Sequence, residues 1–214
     1  MTTSTKQQAH RQEISRVASE NREKLIAAAR HVFAEHGLEI GVDEIARAAG
    51  VGIGTLYRRF PTKDALITEL VRELVGDLMA EAQAALDEPE GRGLERFLYA
   101  AGQIQADARG CLGRMWSDDG TARLRQDYRE TVKVLLHDAQ REGRIRPDAS
   151  LTDVDVLFWS LRGIIEVTGA DSTRAWRRQI EISIAGLRSA ASPLHEPAVS
   201  EAQVQATRVA RRSS

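Results

Sequence analysis

The segment GVDEIARAAGVGIGTLYRRF, residues 41–60, decides how this chain folds. Apolar residues three and four positions apart predict two short helices, at about 42–49 and about 53–60. Gly50 lies between them and is able to adopt the left-handed conformation that ends the first helix. Val51 then fills the space between the two helices, so that their axes cross. The segment predicts a helix-turn-helix.

The second of these helices has one side for the core and another for a partner. Ile53, Leu56 and Phe60 are expected to face inward, because spacings of three and four place side chains on one helix face. The residues expected to point outward, or to lie at the edge, are Gly54, Thr55, Tyr57, Arg58 and Arg59. Each has an ordinary structural role when taken alone, but their coincidence on one face favours contact with DNA bases and phosphates.

Positive charge is concentrated at this segment. From Gly52 to Lys63 the chain has three basic residues and no acid. Pro61 cannot continue the second helix, and Thr62 is placed to cap the next one. The free N–H groups of that next helix, together with Lys63, are expected to bind a phosphate.

The remaining composition excludes several classes of function. The thirty basic and thirty-one acidic residues of the 214 nearly cancel, so any electrostatic site must be local. We expect a folded cytoplasmic protein without membrane span or signal peptide. The single cysteine, Cys111, excludes an internal disulfide. No Walker loop, GxSxG elbow or clustered metal ligands occur, so we expect no enzyme activity, no metal and no cofactor.

The whole chain has helical spacing and no convincing strand, which predicts an all-α protein. The predicted helices are at about 20–36, 42–49, 53–60, 62–86, 94–109, 111–117, 121–142, 150–169 and 173–188. The predicted divisions are a flexible N-terminal arm at 1–18, a three-helix DNA-binding domain at 19–65 with its helix-turn-helix at about 42–61, a helical body at 66–188 and a disordered tail at 189–214. A long helix starting at Thr62 joins the small domain to the body.

The quoted residues also resemble a known family. The runs FAEHG, DEIARAAGV and GTLYRRFPTKDAL are similar to the DNA-binding domain of the tetracycline-repressor (TetR) family of bacterial transcription regulators, over about residues 20–70. The resemblance implies DNA contacts from the outward residues of the second helix and from Lys63, with Gly54 acting through its backbone. Two departures are Gly41, where a Ser or Thr cap is common, and Gly52-Ile53, where Ser-Lys is common. They imply that one hydroxyl and one lysine contact with phosphate are missing.

The resemblance further implies a body that binds a ligand and forms a homodimer. The residues most suggestive of a ligand pocket are Tyr99, Met115, Trp116, Phe158, Trp159 and Arg162. Aromatic residues at helical spacing also build ordinary cores, so this pattern does not separate a pocket from packing. The residues expected at a four-helix dimer interface are Ile164, Ile165, Trp176, Ile180 and Ile184, although the same stripe is also compatible with packing inside one chain.

Together these features predict a sequence-specific DNA-binding regulator. The family implies a homodimeric repressor that binds a palindromic double-stranded operator and leaves it when a small-molecule inducer binds. The alternative is a helical DNA-binding dimer whose body serves dimerisation alone.

Overall fold

A computed structural model describes residues 2–111, 113–114, 119–169, 173–188 and 193–210. The helices in these ranges are α1 (Thr2–His36), α2 (Val42–Ala48), α3 (Ile53–Arg59), α4 (Lys63–Ala85), α5 (Gly93–Asp107), α6 (Ala122–Arg141), α7 (Leu151–Thr168), α8 (Thr173–Leu187) and α9 (Glu201–Ala210). Single turns of 3-10 helix occur at Arg109–Cys111 and Asp119–Thr121. The described part of the chain has no strand, which confirms the all-α prediction.

The helices from α2 to α8 begin and end within two residues of their predicted limits. The helix predicted at 111–117 lies largely outside the described residues. Glycine, proline and capping residues mark most of the observed boundaries. At α7, Ser150 accepts from the Asp153 N–H while the Asp153 carboxylate accepts from the Ser150 N–H. This reciprocal capping box satisfies two donors that a helix start otherwise leaves free.

Helix α1 corrects the prediction of a flexible arm at 1–18, because it runs without interruption from Thr2. Its first half contains no glycine or proline, and it is stabilised by ion pairs along its own surface. The Arg16 guanidinium donates to Glu13 at 2.6 Å and also to Glu20. Periodic apolar residues indicate an amphipathic helix, whereas a polar helix held by ion pairs forms without them. The spacing of apolar residues therefore does not predict this part of α1.

The C-terminal segment also differs from the disordered tail that was expected at 189–214. Residues 201–210 form α9, and Val204 is 0% exposed. The Glu201 carboxylate accepts from the buried Arg129 guanidinium at 2.7 Å, and Arg129 also binds Asp155 at 2.7 Å. One apolar anchor and one ion pair, between the buried Arg129 and the exposed Glu201, therefore fix this helix to the body.

Helix α4 connects the small N-terminal domain with the body. Leucine recurs at every fourth position along its buried side, at Leu66, Leu70, Leu74 and Leu78. Three ion pairs among the described residues join it to α1: Arg22 binds Glu69 and, at 2.8 Å, Glu73, and Arg30 binds Asp77 at 2.9 Å. Its other neighbours are α5 and α6, so the same helix lines both the DNA-binding domain and the body.

The body also touches the end of α1 directly, at Gly110. A Cβ atom built on this glycine would overlap the carbonyl oxygen of Phe33 in α1. The neighbouring Arg109 donates from Nε to the Ala34 carbonyl oxygen at 2.5 Å. Only glycine permits so close an approach of the two backbones, so this contact fixes the distance between α1 and the body.

Replacing Gly110 with alanine should therefore separate α1 from the body. We expect Gly110→Ala to lower the free energy of unfolding by about 1–3 kcal/mol, the usual cost of forcing extra volume into a packed site. Urea unfolding followed by circular dichroism measures this change. Gly76→Ala is the matched control: Gly76 lies within α4 with open space at its Cβ position. That substitution should raise stability by up to about 1 kcal/mol, because alanine favours helix.

Equal effects of the two substitutions would contradict the close contact at Gly110.

Candidate nucleic-acid interface

The turn between α2 and α3 has the geometry that the sequence predicts. Gly50 has φ 65°, in the left-handed region. Its N–H donates to the Arg47 carbonyl at 3.1 Å, and the Val51 N–H donates to the Ala46 carbonyl at 3.0 Å. These two bonds make a Schellman motif, which closes α2 and redirects the chain into α3.

Helix α3 is held by few side chains. Leu56 is fully buried, and Phe60 is buried just after the helix ends. Ile53 was predicted to face inward, but this is wrong, because it is 43% exposed. It is the first residue of α3, beyond the reach of the core that covers Leu56 one turn later. The helix is thus fastened at its centre and C-terminal end.

The outward side of α3 presents the predicted residues to solvent. Tyr57 is 49% exposed, Gly54, Arg58 and Arg59 are also exposed, and Thr55 is half-buried. The Arg58 guanidinium donates to the Thr55 hydroxyl at 3.2 Å. A guanidinium and a hydroxyl therefore lie in contact, and the phenol of Tyr57 is exposed on the same short helix, which a DNA groove is able to accept.

The cations of this surface are not neutralised by nearby acids. Glu69 binds Arg22 and Arg72, and Arg22 is the main cause of its lowered pKa, with a smaller contribution from the charge of Arg59. Asp64 binds Arg114 of the body at 2.5 Å. Among the described residues, Arg58 and Arg59 form no ion pair, so their charge remains available to phosphates.

The start of α4 is built as predicted. The Thr62 hydroxyl accepts from the Ala65 N–H at 3.0 Å, which caps the helix. Lys63, the first residue of α4, is half-buried beside these free N–H groups. Gly41 is the N-cap of α2 and makes no side-chain hydrogen bond to it. This agrees with the resemblance to the family, which implied that a capping hydroxyl is missing at this position.

The candidate pocket residues do not converge on one cavity. Phe158 is buried in the core, where its ring meets Phe97 edge-on at 5.9 Å between centroids. Arg162 binds Glu166 along α7 at 2.7 Å. Tyr99 and Trp159 are half-buried. Met115 and Trp116 lie outside the described residues. None of the four described side chains lines a cleft of ligand size, so a shared pocket among these residues stays a prediction.

The predicted dimer residues require a correction. The buried members of this set are Ile165, Trp176, Ile180 and Ile184, and Ile164 is half-buried. Trp176 is only 1% exposed and packs against Gly102 of α5. The four buried side chains join α7 and α8 to the rest of the same chain, so they are not available to a second copy, whereas a place for Ile164 in an interface stays a prediction. The apolar residues that remain exposed on the two helices are Val156, Val167 and Ile182.

Two clefts of ligand size occur in the described part of the chain. One of about 410 Å³ lies between the end of α1 and the body, and one of about 610 Å³ lies between the first half of α1 and the outward side of α3. Sequence reasoning missed both, because each is formed by residues far apart in the chain.

Cys111 behaves as a buried apolar residue. It is a free thiol, and burial raises its pKa to about 12, so the reactive thiolate is suppressed at neutral pH. Among the described side chains, no group of three or more His, Cys, Asp or Glu residues is arranged to hold a metal. None of the described helices combines the length and apolarity needed to cross a membrane.

The exposed, cationic second helix after a left-handed glycine turn defines a helix-turn-helix DNA-binding protein. Known proteins agree with this class. The profile described as "Bacterial regulatory proteins, tetR family" matches residues 25–70, and the profile described as "Transcriptional regulator SbtR-like, C-terminal domain" matches residues 90–189.

Solved structures and characterised relatives extend the similarity to most of the chain. The TetR transcriptional regulator SCO0520 from Streptomyces coelicolor is 32% identical, with 79% of this chain and 99% of that chain covered and a TM-score of 0.59. A TetR regulatory protein from Mycobacterium vanbaalenii is 29% identical, with 82% and 99% covered and a TM-score of 0.62. The HTH-type transcriptional repressor KstR2 from Rhodococcus jostii (strain RHA1) is 26% identical over 157 residues, which are 67% of this chain and 76% of that relative. The chain belongs to the tetR family of bacterial transcriptional regulators.

Proposed function

We propose that this regulator is a repressor that binds a palindromic operator as a homodimer and releases it when a small molecule binds. The observation that carries the proposal is the outward side of α3, where Arg58 and Arg59 stand without acid partners beside Thr55 and Tyr57. In a helix-turn-helix protein this side enters the major groove, so these side chains meet base edges and phosphates.

Substitutions in this surface should separate base recognition from phosphate binding. We expect Arg59→Ala or Tyr57→Ala to weaken operator binding by about 1–3 kcal/mol if the side chain reads a base. Lys63→Ala should weaken binding to all sequences and lower the slope of log K against log salt by about one unit. Fluorescence anisotropy with an operator recovered by selection from random DNA measures both effects.

Arg141→Ala is the matched control, because Arg141 is an exposed arginine at the end of α6. It should leave DNA binding unchanged. Native affinity in all of the α3 and α4 variants would rule out this surface as the DNA-binding site.

A homodimer is supported by the exposed apolar residues of α7 and α8. Val156, Gly163 and Val167 recur on one face of α7, and Ile182 and Gly186 lie on α8, which packs beside it. Val167 is 87% exposed, an unusual position for a valine in an isolated chain. The glycines allow close approach of helices, so the pairs α7–α8 of two copies are able to form a four-helix interface.

The dimer is tested by placing charge on this face. Val167→Asp should give a monomer in sedimentation velocity, because an unpaired carboxylate is costly to bury. The control is Val134→Asp on α6, where the valine is also exposed. It should leave the dimer intact. A persistent Val167→Asp dimer would place the interface elsewhere.

Ligand release is supported by the cleft of about 410 Å³ between α1 and the body, which falls within the usual size range of small-molecule sites. Its walls come from α1 residues such as Arg30 and Ala34 and from body residues such as Ala106 and Trp176. The buried Trp176 indole N–H has no acceptor among the described residues. A ligand with an acceptor group satisfies this donor and contacts both domains at once.

A metabolite panel screened by thermal shift tests this step. We expect at least one compound to raise the melting temperature and to lower DNA affinity. Ala106→Trp, which fills the cleft, should abolish both effects, whereas Ala122→Trp at the exposed start of α6 should preserve them. If no compound changes either property, the body serves dimerisation alone.

A further inference from the structure

The first half of α1 projects from the DNA-binding domain without a covering neighbour. Every side chain that the structure describes from Gln8 to Ser19 is exposed, and the first fully buried one among the described side chains of α1 is Leu25. We call residues 2–20 the α1 arm. At about 1.5 Å per residue, its helix is about 27 Å long.

The α1 arm lies on the same side of the domain as the outward face of α3. The groove of about 610 Å³ has one wall from α1 and the other from Thr55, Arg58 and Arg59. The α1 residues that line it are His10, Glu13, Val17, Ala18, Asn21, Arg22 and Leu25. Spacings of three and four show that one face of the helix forms this wall. The arm therefore flanks the surface that carries the proposed DNA contacts.

The arm has a positive charge excess. Residues 2–20 contain three basic residues, Lys6, Arg11 and Arg16, and two acids, Glu13 and Glu20. Arg16 is neutralised by Glu13 and Glu20. Arg11 is exposed and forms no ion pair with any side chain that the structure describes. Among the described side chains of the arm, the unpaired positive charge is therefore that of Arg11, which is free to bind an anion.

We propose that the α1 arm is a second DNA-binding element, which holds the phosphate backbone beside the half-site read by α3. The proposal rests on the proposed function and extends it. The major groove is bordered on each side by a sugar-phosphate strand, so a helix inserted in it has a strand at its flank. The groove between α3 and the arm is the space where such a strand fits, with Arg58 and Arg59 on one side.

The length of the arm sets the size of this contact. A helix of about 27 Å spans about eight base pairs at 3.4 Å each. Arg11 lies near the middle of the arm and is the described side chain best placed to bind a phosphate. Glu13 lines the groove as well, and its hydrogen bond with Arg16 lowers its pKa, so it stays charged and opposes the phosphates.

Substitutions of Arg11 and Glu13 should change the DNA affinity of the full-length protein in opposite directions. We expect Arg11→Glu to weaken binding to the selected operator about tenfold at moderate salt and to lower the salt slope by at least about one unit. Glu13→Gln should strengthen binding by a factor of about two to five. Lys133→Glu, an equal charge reversal on an exposed α6 residue of the body, should leave affinity unchanged. Circular dichroism verifies that each variant remains folded.

Hydroxyl-radical footprinting locates the contact. The native chain should protect backbone next to each half-site, and Arg11→Glu should lose this protection while keeping that of the half-site itself. The inference is overturned if Arg11→Glu and Glu13→Gln both match Lys133→Glu. It is also overturned if Arg11→Glu binds more tightly, since the arm would then cover α3 and compete with DNA. If instead the proposed function is wrong, the native chain selects no operator from random DNA. This result is distinct from a failure of the α1 arm to contact DNA.

Discussion

The position of α3 depends on one fully buried side chain, Leu56, and on the left-handed turn at Gly50. A helix of seven residues is too short to be stable alone, so its geometry comes from what it packs against. Burial of a leucine contributes about 1.5–3 kcal/mol, enough to fix the helix when the preceding turn already sets its direction. Because α3 and the residue that follows it contribute only Leu56 and Phe60 to the core, the side chains on the opposite side of the helix are not needed for packing. Tyr57, Arg58 and Arg59 can therefore face DNA without weakening the fold.

The body reaches this small domain through α1 and α4, and the described contacts do not involve α3 itself. The backbone contact of Gly110 with Phe33 and the ion pair of Arg114 with Asp64 attach the body to both helices. A change in the body therefore moves α1 and α4 together, and α3 follows as part of the same core. The cleft beside Trp176 lies at this junction, so the ligand that we propose would act on the contact that sets the distance between the two parts. This arrangement supplies a physical route for release of DNA without a rearrangement of α3.

The sequence was most informative where local chemistry decides the structure. Gly50, Pro61 and Thr62 each have one conformational role, and the helix-turn-helix followed from them. The spacing of apolar residues was less informative, because it does not show which neighbouring helix covers an apolar stripe. Trp176, Ile180 and Ile184 have the spacing of a dimer seam, but α5 and α7 cover them within one chain, because periodicity identifies a buried face and not its partner. Polar composition likewise failed to distinguish a charged helix from a flexible arm, since the ion pairs of Arg16 are formed only once the helix exists.

The most direct measurement of whether α3 enters the major groove is DNA cleavage from a chemical nuclease attached to that helix. Ile53→Cys places a thiol at the exposed start of α3, beside the residues proposed to contact DNA and not among them, and the buried Cys111 with its pKa of about 12 does not compete for the reagent. With iron-EDTA coupled at residue 53, we predict cuts in the major groove of both half-sites, centred about 34 Å apart, one helical turn of DNA. Glu130→Cys, exposed on α6, provides the matched position in the body. Uncut operator, or the same cleavage from both positions, would contradict the account.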